Sequence, residues 1–345
     1  MTNFSLESLQ FIWFSAFVLL VIGYAILDGF DLGVGMLHLF SKKDEERRLM
    51  LNAIGPVWDG NEVWLVTAGG ALFAGFPDIY ATLCSAFYIP LMILLGGIIF
   101  RAVAIEFRSK RPMAWWRWMW DVLFSLASLI IAFGLGVVLG NLIRGIPLNE
   151  HKEFIGDLSS LLHPYALLIG VLTVALFSMH GGIFILMKTE GELHDKIRAW
   201  INPTIIFFII TYALTTMATL IYMPHMIEVL QERPIFFLLA IGNMLSIANI
   251  PREINRGKDW LAFVSSCFNI IFLLCLYAVG TYPEVIRAIN SPENLSLTIY
   301  NSSSSAKTIE ILILIALVGI PLVVAYTTAI YWIFHGKVKL ESTSY

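Results

Sequence analysis

The chain has 345 residues, of which 58% are hydrophobic and only 14% charged, with a formal net charge of −3. Soluble globular domains carry roughly 25% charged residues, so this composition, with a mean hydropathy of +0.78, excludes a water-soluble enzyme. No basic stripe stands apart from the short charged segments, which argues against a nucleic-acid partner.

Nine apolar runs follow one another, at 11–40, 49–76, 79–100, 118–142, 163–187, 203–223, 234–250, 260–281 and 309–334. Each is about as long as a bilayer crossing requires. Within lipid a single spanning segment can satisfy its own backbone only as a helix, and these runs are too long for barrel strands. The expected fold is therefore an all-α integral membrane protein with about nine transmembrane helices in one membrane domain. No Lys or Arg precedes Lys42, so the first run lacks the basic start of a signal peptide and reads as a retained span. Cys84, Cys267 and Cys275 lie within apolar runs and form no C-x-x-C pair. Neither a disulfide framework nor a thiolate metal site is expected, and such cysteines act as small hydrophobes.

Seventeen of the 22 Lys and Arg fall after spans 1, 3, 5 and 7 or in the C-terminal tail. The remaining five are Arg144, Lys152, Arg233, Arg287 and Lys307. Basic loops stay cytoplasmic, so the N-terminus is expected outside and the C-terminus inside. Trp115, Trp116, Trp118 and Trp120 then lie at the cytoplasmic interface, where amphipathic rings are favoured. A faint repeat links Asp28-Gly29-Phe30 and the segment ending at Gly55-Pro56 to His180-Gly181-Gly182 and the segment ending at Asn202-Pro203. Two four-helix units, 8–142 and 163–281, plus a final helix at 309–334 would fit it. An even span number per unit makes such repeats parallel.

Ionisable groups inside spans are functional candidates by default. Span 1 carries Asp28 and Asp31, span 2 carries Asp59 and Glu62, and span 5 carries His180; Arg101 and Asp121 lie near the cytoplasmic ends of spans 3 and 4. Each acidic pair is spaced i, i+3 and shares one helix face. At 1.5 Å per residue, Asp28 lies roughly 25 Å below the outer start of span 1, and Asp59 lies in the same cytoplasmic half. A polar entry from one side is the inference. Arg101 can pair with one acid and fix helix packing, since buried charges are normally paired. One arginine cannot neutralise four span acids, so some are expected to hold a proton after desolvation. His180 reads either as a polar core residue or as a metal ligand, and a haem requires a positioned axial group.

The segments Asp28-Gly29-Phe30-Asp31-Leu32-Gly33-Val34-Gly35 and Gly55-Pro56-Val57-Trp58-Asp59-Gly60-Asn61-Glu62-Val63-Trp64-Leu65 closely resemble the second subunit of the cytochrome bd-type quinol oxidases. The resemblance continues through Thr67-Ala68-Gly69-Gly70-Ala71-Leu72-Phe73-Ala74, Phe100-Arg101 and Arg117-Trp118-Met119-Trp120-Asp121. It returns at Gly191-Glu192-Leu193-His194 and Ser296-Leu297-Thr298-Ile299-Tyr300-Asn301, and so covers nearly the whole chain. It implies a two-subunit terminal oxidase of the bacterial cytoplasmic membrane that oxidises quinol and reduces dioxygen to water. Haems b and d and the principal quinol site would belong to the partner, subunit I; small accessory subunits and membrane lipid are further expected partners. No haem is expected to bind tightly to this chain alone. On the matching positions, Asp59 would be the proton-path acid, with Asp28 and Glu62 beside it, and Trp64 would lie near the dioxygen route. Asp31, Arg101 and Asp121 would form a polar cluster supporting the haem region. Two departures stand out: the connection at 224–233 is short, and Glu62 stands where glutamine is often expected. A secondary transporter with intramembrane carboxylates is the alternative reading.

Overall fold

The computed structural model describes residues 4–340; Met1 and Tyr345, the termini whose sidedness the loop charges predict, lie outside that range. In chain order the helices are α1 (Leu6–Leu37), α2 (Asp44–Ile54), α3 (Trp58–Gly75), α4 (Pro77–Ala86), α5 (Tyr88–Phe107), α6 (Ala114–Arg144) and α7 (Leu158–Leu161). They continue with α8 (Pro164–Lys188), α9 (Gly191–Tyr222), α10 (His225–Glu232), α11 (Phe237–Asn255), α12 (Asp259–Thr281), α13 (Pro292–Leu295) and α14 (Ala306–Ile333). Two short strands, β1 (Glu284–Ile286) and β2 (Leu297–Thr298), pair antiparallel.

Among the described residues eight helices are long and apolar enough to cross a membrane. The expected run at 49–76 contributes none of these. It divides into α2 and α3 at Gly55-Pro56-Val57, and the 18-residue α3 carries the polar stretch Asp59-Gly60-Asn61-Glu62 in its first two turns. Pro56 is the physical reason for the break, because it has no N–H to donate to the helical ladder. Pro77 opens α4 at a position where its missing N–H leaves no bond unmade. The segment before Pro203, expected as a loop, is helical: α9 begins at Gly191 and runs through the proline. The two halves of the faint repeat therefore differ at this point, broken in one and continuous in the other. Ser5 starts α1 earlier than its apolar run, its side chain accepting from the Ser8 amide at 3.2 Å.

α1 and α8, the leading helices of the two expected units, pack against each other at the centre of the bundle. Gly33 and Gly181 permit this: a Cβ on Gly181 would lie 2.5 Å from the Gly33 carbonyl carbon, and one on Gly33 would overlap the Phe177 carbonyl oxygen. Small residues allow such close approach between membrane helices. Phe30 of α1 stacks on Phe184 of α8 with ring centroids 3.9 Å apart. α1 also meets α3, α6, α12 and α14, while α5 packs on α6 and α11 on α12. At the end opposite the basic loops, β1 and β2 and the segment after α6 form a cap over Phe76, Ile79 and Phe87. α14 is almost wholly exposed, with Leu317 at 67% and Trp332 at 74%. At the basic end Trp116 lies edge-on to Trp120 at 5.5 Å, while Trp115 and Trp118 are exposed.

Candidate functional site: a buried carboxylate core

The centre of the site is where α1, α3 and α5 meet. Asp28 and Asp31 project from α1, Asn61 and Glu62 from α3, and Arg101 from α5. The Arg101 guanidinium, 1% exposed, donates through Nη2 to Asp28 at 2.6 Å and to Glu62 at 3.2 Å. The Asn61 amide donates to Asp31 at 2.8 Å and to the Leu27 carbonyl at 3.2 Å, and its own oxygen accepts from the Tyr331 hydroxyl of α14 at 2.9 Å. Two carboxyl groups thus share one guanidinium, and a third, that of Asp31, is held by the Asn61 amide. The Tyr24 hydroxyl, Asp31 Oδ1, Glu62 Oε1 and Arg101 Nε and Nη1 are buried with no partner among the described residues. Buried polar atoms are normally matched by protein or ordered water, so a clustered set of unmatched ones marks a polar interior.

Asp59 lies outside this core. It occupies the first turn of α3, where the helix N-terminus favours a carboxylate, and it is exposed. One turn away on the same face, Glu62 has its side chain only 13% exposed and already touches Arg101. The ionisable chain therefore runs Asp59, Glu62, Arg101, Asp28, from an open end to a closed one. Trp64, half-buried, fills the space left by Gly23, where a Cβ would collide with its ring.

The expected cluster of Asp31, Arg101 and Asp121 is divided in the structure. Arg101 ion-pairs with Asp28 and Glu62 rather than with Asp31 or Asp121. Asp121 belongs to a second network at the basic end of the bundle. Its carboxylate meets His38 Nε2 at 2.6 Å, Arg108 Nε at 2.5 Å and Arg47 at 2.9 Å, and Arg108 and Arg117 both reach Asp44. These contacts tie the ends of α1 and α5 to the starts of α2 and α6. His38, Arg47 and Arg108 escaped the sequence reading because they look like ordinary residues at span ends. Asn61 sat in plain view within a polar run, but Tyr331 gave no signal inside its apolar helix.

His180 is fully buried, and both ring nitrogens are engaged: Nε2 with the Ile26 carbonyl at 2.9 Å and Nδ1 with the Ser266 hydroxyl at 2.7 Å. The carbonyl can only accept, so Nε2 is the protonated nitrogen. Its ring stacks on Phe263 with centroids 5.0 Å apart. A ring held from both sides in this way does not fit an axial haem ligand, and no cluster of three or more His, Cys, Asp or Glu side chains that could hold a metal ion occurs among the described residues.

Fold and site together define a polytopic α-helical membrane protein built around an internal carboxylate–guanidinium core. Residues 9–334 match the family described as cytochrome bd terminal oxidase subunit II, and the chain belongs to that family. It is similar to the cytochrome bd-I ubiquinol oxidase subunit 2 of Escherichia coli K12, at 34% identity over 97% of this chain and 96% of that one. It is also similar to the cytochrome bd ubiquinol oxidase subunit 2 of Bacillus subtilis 168, at 32% identity over 97% and 98% of the two chains. In fold it is similar to the bd oxidase structure from Geobacillus thermodenitrificans, with a TM-score of 0.79, 19% identity, and coverage of 95% of this chain and 98% of that chain. The chain is accordingly a subunit of a terminal oxidase, an oxidoreductase complex, and a multi-pass protein of the bacterial inner membrane. The transporter alternative is set aside.

Proposed function

We propose that this subunit supplies the proton entry of a quinol-oxidising, dioxygen-reducing complex, with Asp59 as the first acid and Glu62 and Asp28 as the inner ones. The observation that carries this reading is the placement of Asp59. An ionisable side chain facing lipid is expensive, yet Asp59 is exposed on α3 beside Val63 and Val66, which are 54% and 72% exposed. A partner subunit seated on this face would cover the acid and leave it able to hand protons inward through Glu62. Gly60, Gly69 and Gly70 agree, because among the described residues no atom outside their own turns of α3 lies within 4 Å of a Cβ built at any of them. Within this chain their small size serves no packing role, whereas a closely seated helix would use it.

On this reading haems b and d, which carry electrons and reduce dioxygen when bound, and the quinol are held by the partner, subunit I. The residues of this chain orient, pair and move protons at carboxylate oxygens. Trp64 is assigned to the dioxygen route. Asp31, Arg101 and Asp121 support the haem region from two separate networks. The basic loops face the cytoplasm, so the N-terminus is outside and the C-terminus inside, with two units at 8–142 and 163–281 and a final helix at 309–334. Small accessory subunits and membrane lipid complete the assembly.

The test is Asp59→Asn, which keeps shape and removes the titrating group. The two-subunit complex is expected to assemble with normal haem spectra and to consume oxygen more slowly per haem. Loss of haem with unchanged turnover per remaining haem would instead make Asp59 a packing residue, and an intact complex with full turnover would exclude an obligatory role.

A further inference from the structure

α14 runs along the edge of the bundle, and most of its side chains, from Leu314 and Leu317 to Val324 and Trp332, face outward. Two ties hold its end nearest the basic loops. One is Tyr331, whose hydroxyl meets Asn61 Oδ1 of α3 at 2.9 Å. Among the described residues no other side chain of α14 is hydrogen-bonded to another helix. The other tie lies just beyond the helix, where the tail folds onto the end of α8. There the Val338 amide donates to the Lys188 carbonyl at 2.9 Å, Lys337 Nζ donates to the Thr189 carbonyl at 2.8 Å, and Lys188 Nζ donates to the Phe334 carbonyl.

A backbone group sets the direction of the bonds at Tyr331. Asn61 Nδ2 lies 3.2 Å from the Leu27 carbonyl, which can only accept, so the amide nitrogen is on that side and the amide oxygen faces Tyr331. Tyr331 therefore donates to Asn61, and Asn61 in turn donates to Asp31 Oδ2 at 2.8 Å. Among the described residues this amide is the one hydrogen-bond donor to the Asp31 carboxyl, whose Oδ1 is buried with no partner. The nearby guanidinium of Arg101 is taken by Asp28 and Glu62. Asn61 is only 2% exposed. Without the tyrosine hydroxyl its oxygen would be a buried acceptor with no donor, which costs the full desolvation of that atom. The ring has a separate seat, edge-on to Phe30 with centroids 6.3 Å apart. Phenylalanine at 331 would keep that contact and lose the hydroxyl alone.

We infer that Tyr331 is a positioning residue for Asp31: from the outlying helix α14 it holds the Asn61 amide in the orientation that donates to Asp31 Oδ2. The tail clasp fixes the end of α14 that carries Tyr331, so the seat of this peripheral helix helps to determine how a carboxyl in the core is held. Any effect on the haem region rests on the supporting role assigned to Asp31 above. The linkage from Tyr331 to Asp31 does not, and the two are read separately.

The test is a double-mutant cycle on the haem-loaded complex, with Tyr331→Phe, Asp31→Leu and the two combined, read by thermal midpoint and by visible haem absorption. Members of one hydrogen-bond network are coupled, whereas independent sites add. Tyr331→Phe alone is expected to lower the midpoint. In the Asp31→Leu background it should lower the midpoint by less, because the part of its effect that passes through the carboxyl is already gone. The haem bands are expected to shift in Tyr331→Phe in the same direction as in Asp31→Leu, and by a smaller amount. Coupled midpoints with haem bands unmoved in every variant would support the positioning of Asp31 and remove its role at the haem. Additive midpoints, an unchanged midpoint in Tyr331→Phe, or haem bands that move in Asp31→Leu but not in Tyr331→Phe would each overturn the inference. Should Asp31→Leu fail to assemble, the haem bands of Tyr331→Phe set against those of Asp31→Asn decide.

Discussion

Replacing Arg101 by methionine tests whether the buried core is held by charge pairing. The guanidinium is 1% exposed and lies 2.6 Å from Asp28, itself 1% exposed, and 3.2 Å from Glu62. Methionine fills part of the volume but leaves both carboxylates with no cation. Removing one partner of a buried pair costs about 3–5 kcal/mol, because the other charge stays desolvated and uncompensated. With roughly 2–4 °C of midpoint per kcal/mol in domains of 150–250 residues, the thermal midpoint should fall on the order of 10 °C. Adding Asp28→Asn removes the nearer orphaned charge, and residues in direct contact couple by about 0.5–3 kcal/mol. The double variant should therefore recover part of the loss, and Glu62→Gln on top of it should recover more. The assay is the midpoint of the haem-loaded complex, followed by its visible absorption. A double variant no more stable than Arg101→Met, or an Arg101→Met complex as stable as the unaltered one, would refute the pairing argument.

Other outcomes follow from different parts of the fold. Gly33→Ala should destabilise by about 1–3 kcal/mol through overpacking of α1 on α8, whereas Gly69→Ala, in open space within the isolated chain, should act only where the partner subunit docks; thermal midpoint and co-purification of the two subunits separate the effects. Glu46 is raised by burial, but hydrogen bonds from Lys196 and Ser41 outweigh this and hold its carboxyl below the ordinary value. Its stabilising contribution is therefore full above the unfolded glutamate value of about 4.3 and is lost as pH falls through the lower folded value. Glu46→Gln should flatten that acid limb in a midpoint-versus-pH series. Tags at Met1 and Tyr345 should be reached by impermeant labels only from outside and only from the cytoplasm, respectively; labelling from one side alone would refute the orientation.

The sequence by itself determined that the chain is a bundle of membrane helices, because apolar runs of bilayer length admit no other backbone solution. It also singled out Asp28, Asp31, Asp59, Glu62, Arg101 and Asp121, since charge inside such runs is visible without coordinates. Tertiary structure alone decided which of them meet. Arg101 could have neutralised any of several acids, and helix rotation and depth gave it Asp28 and Glu62 while sending Asp121 to His38 and Arg108. Periodicity places residues on a face but does not say which neighbour that face will meet. Helix ends were hidden for a related reason. The run at 49–76 looked continuous because its apolar content outweighed Gly55-Pro56, while Pro203 looked like a boundary and is accommodated within α9. The exposure of Asp59 was the least legible feature of all, because it depends on which side of α3 the rest of the bundle covers, and that is a property of packing rather than of residue type.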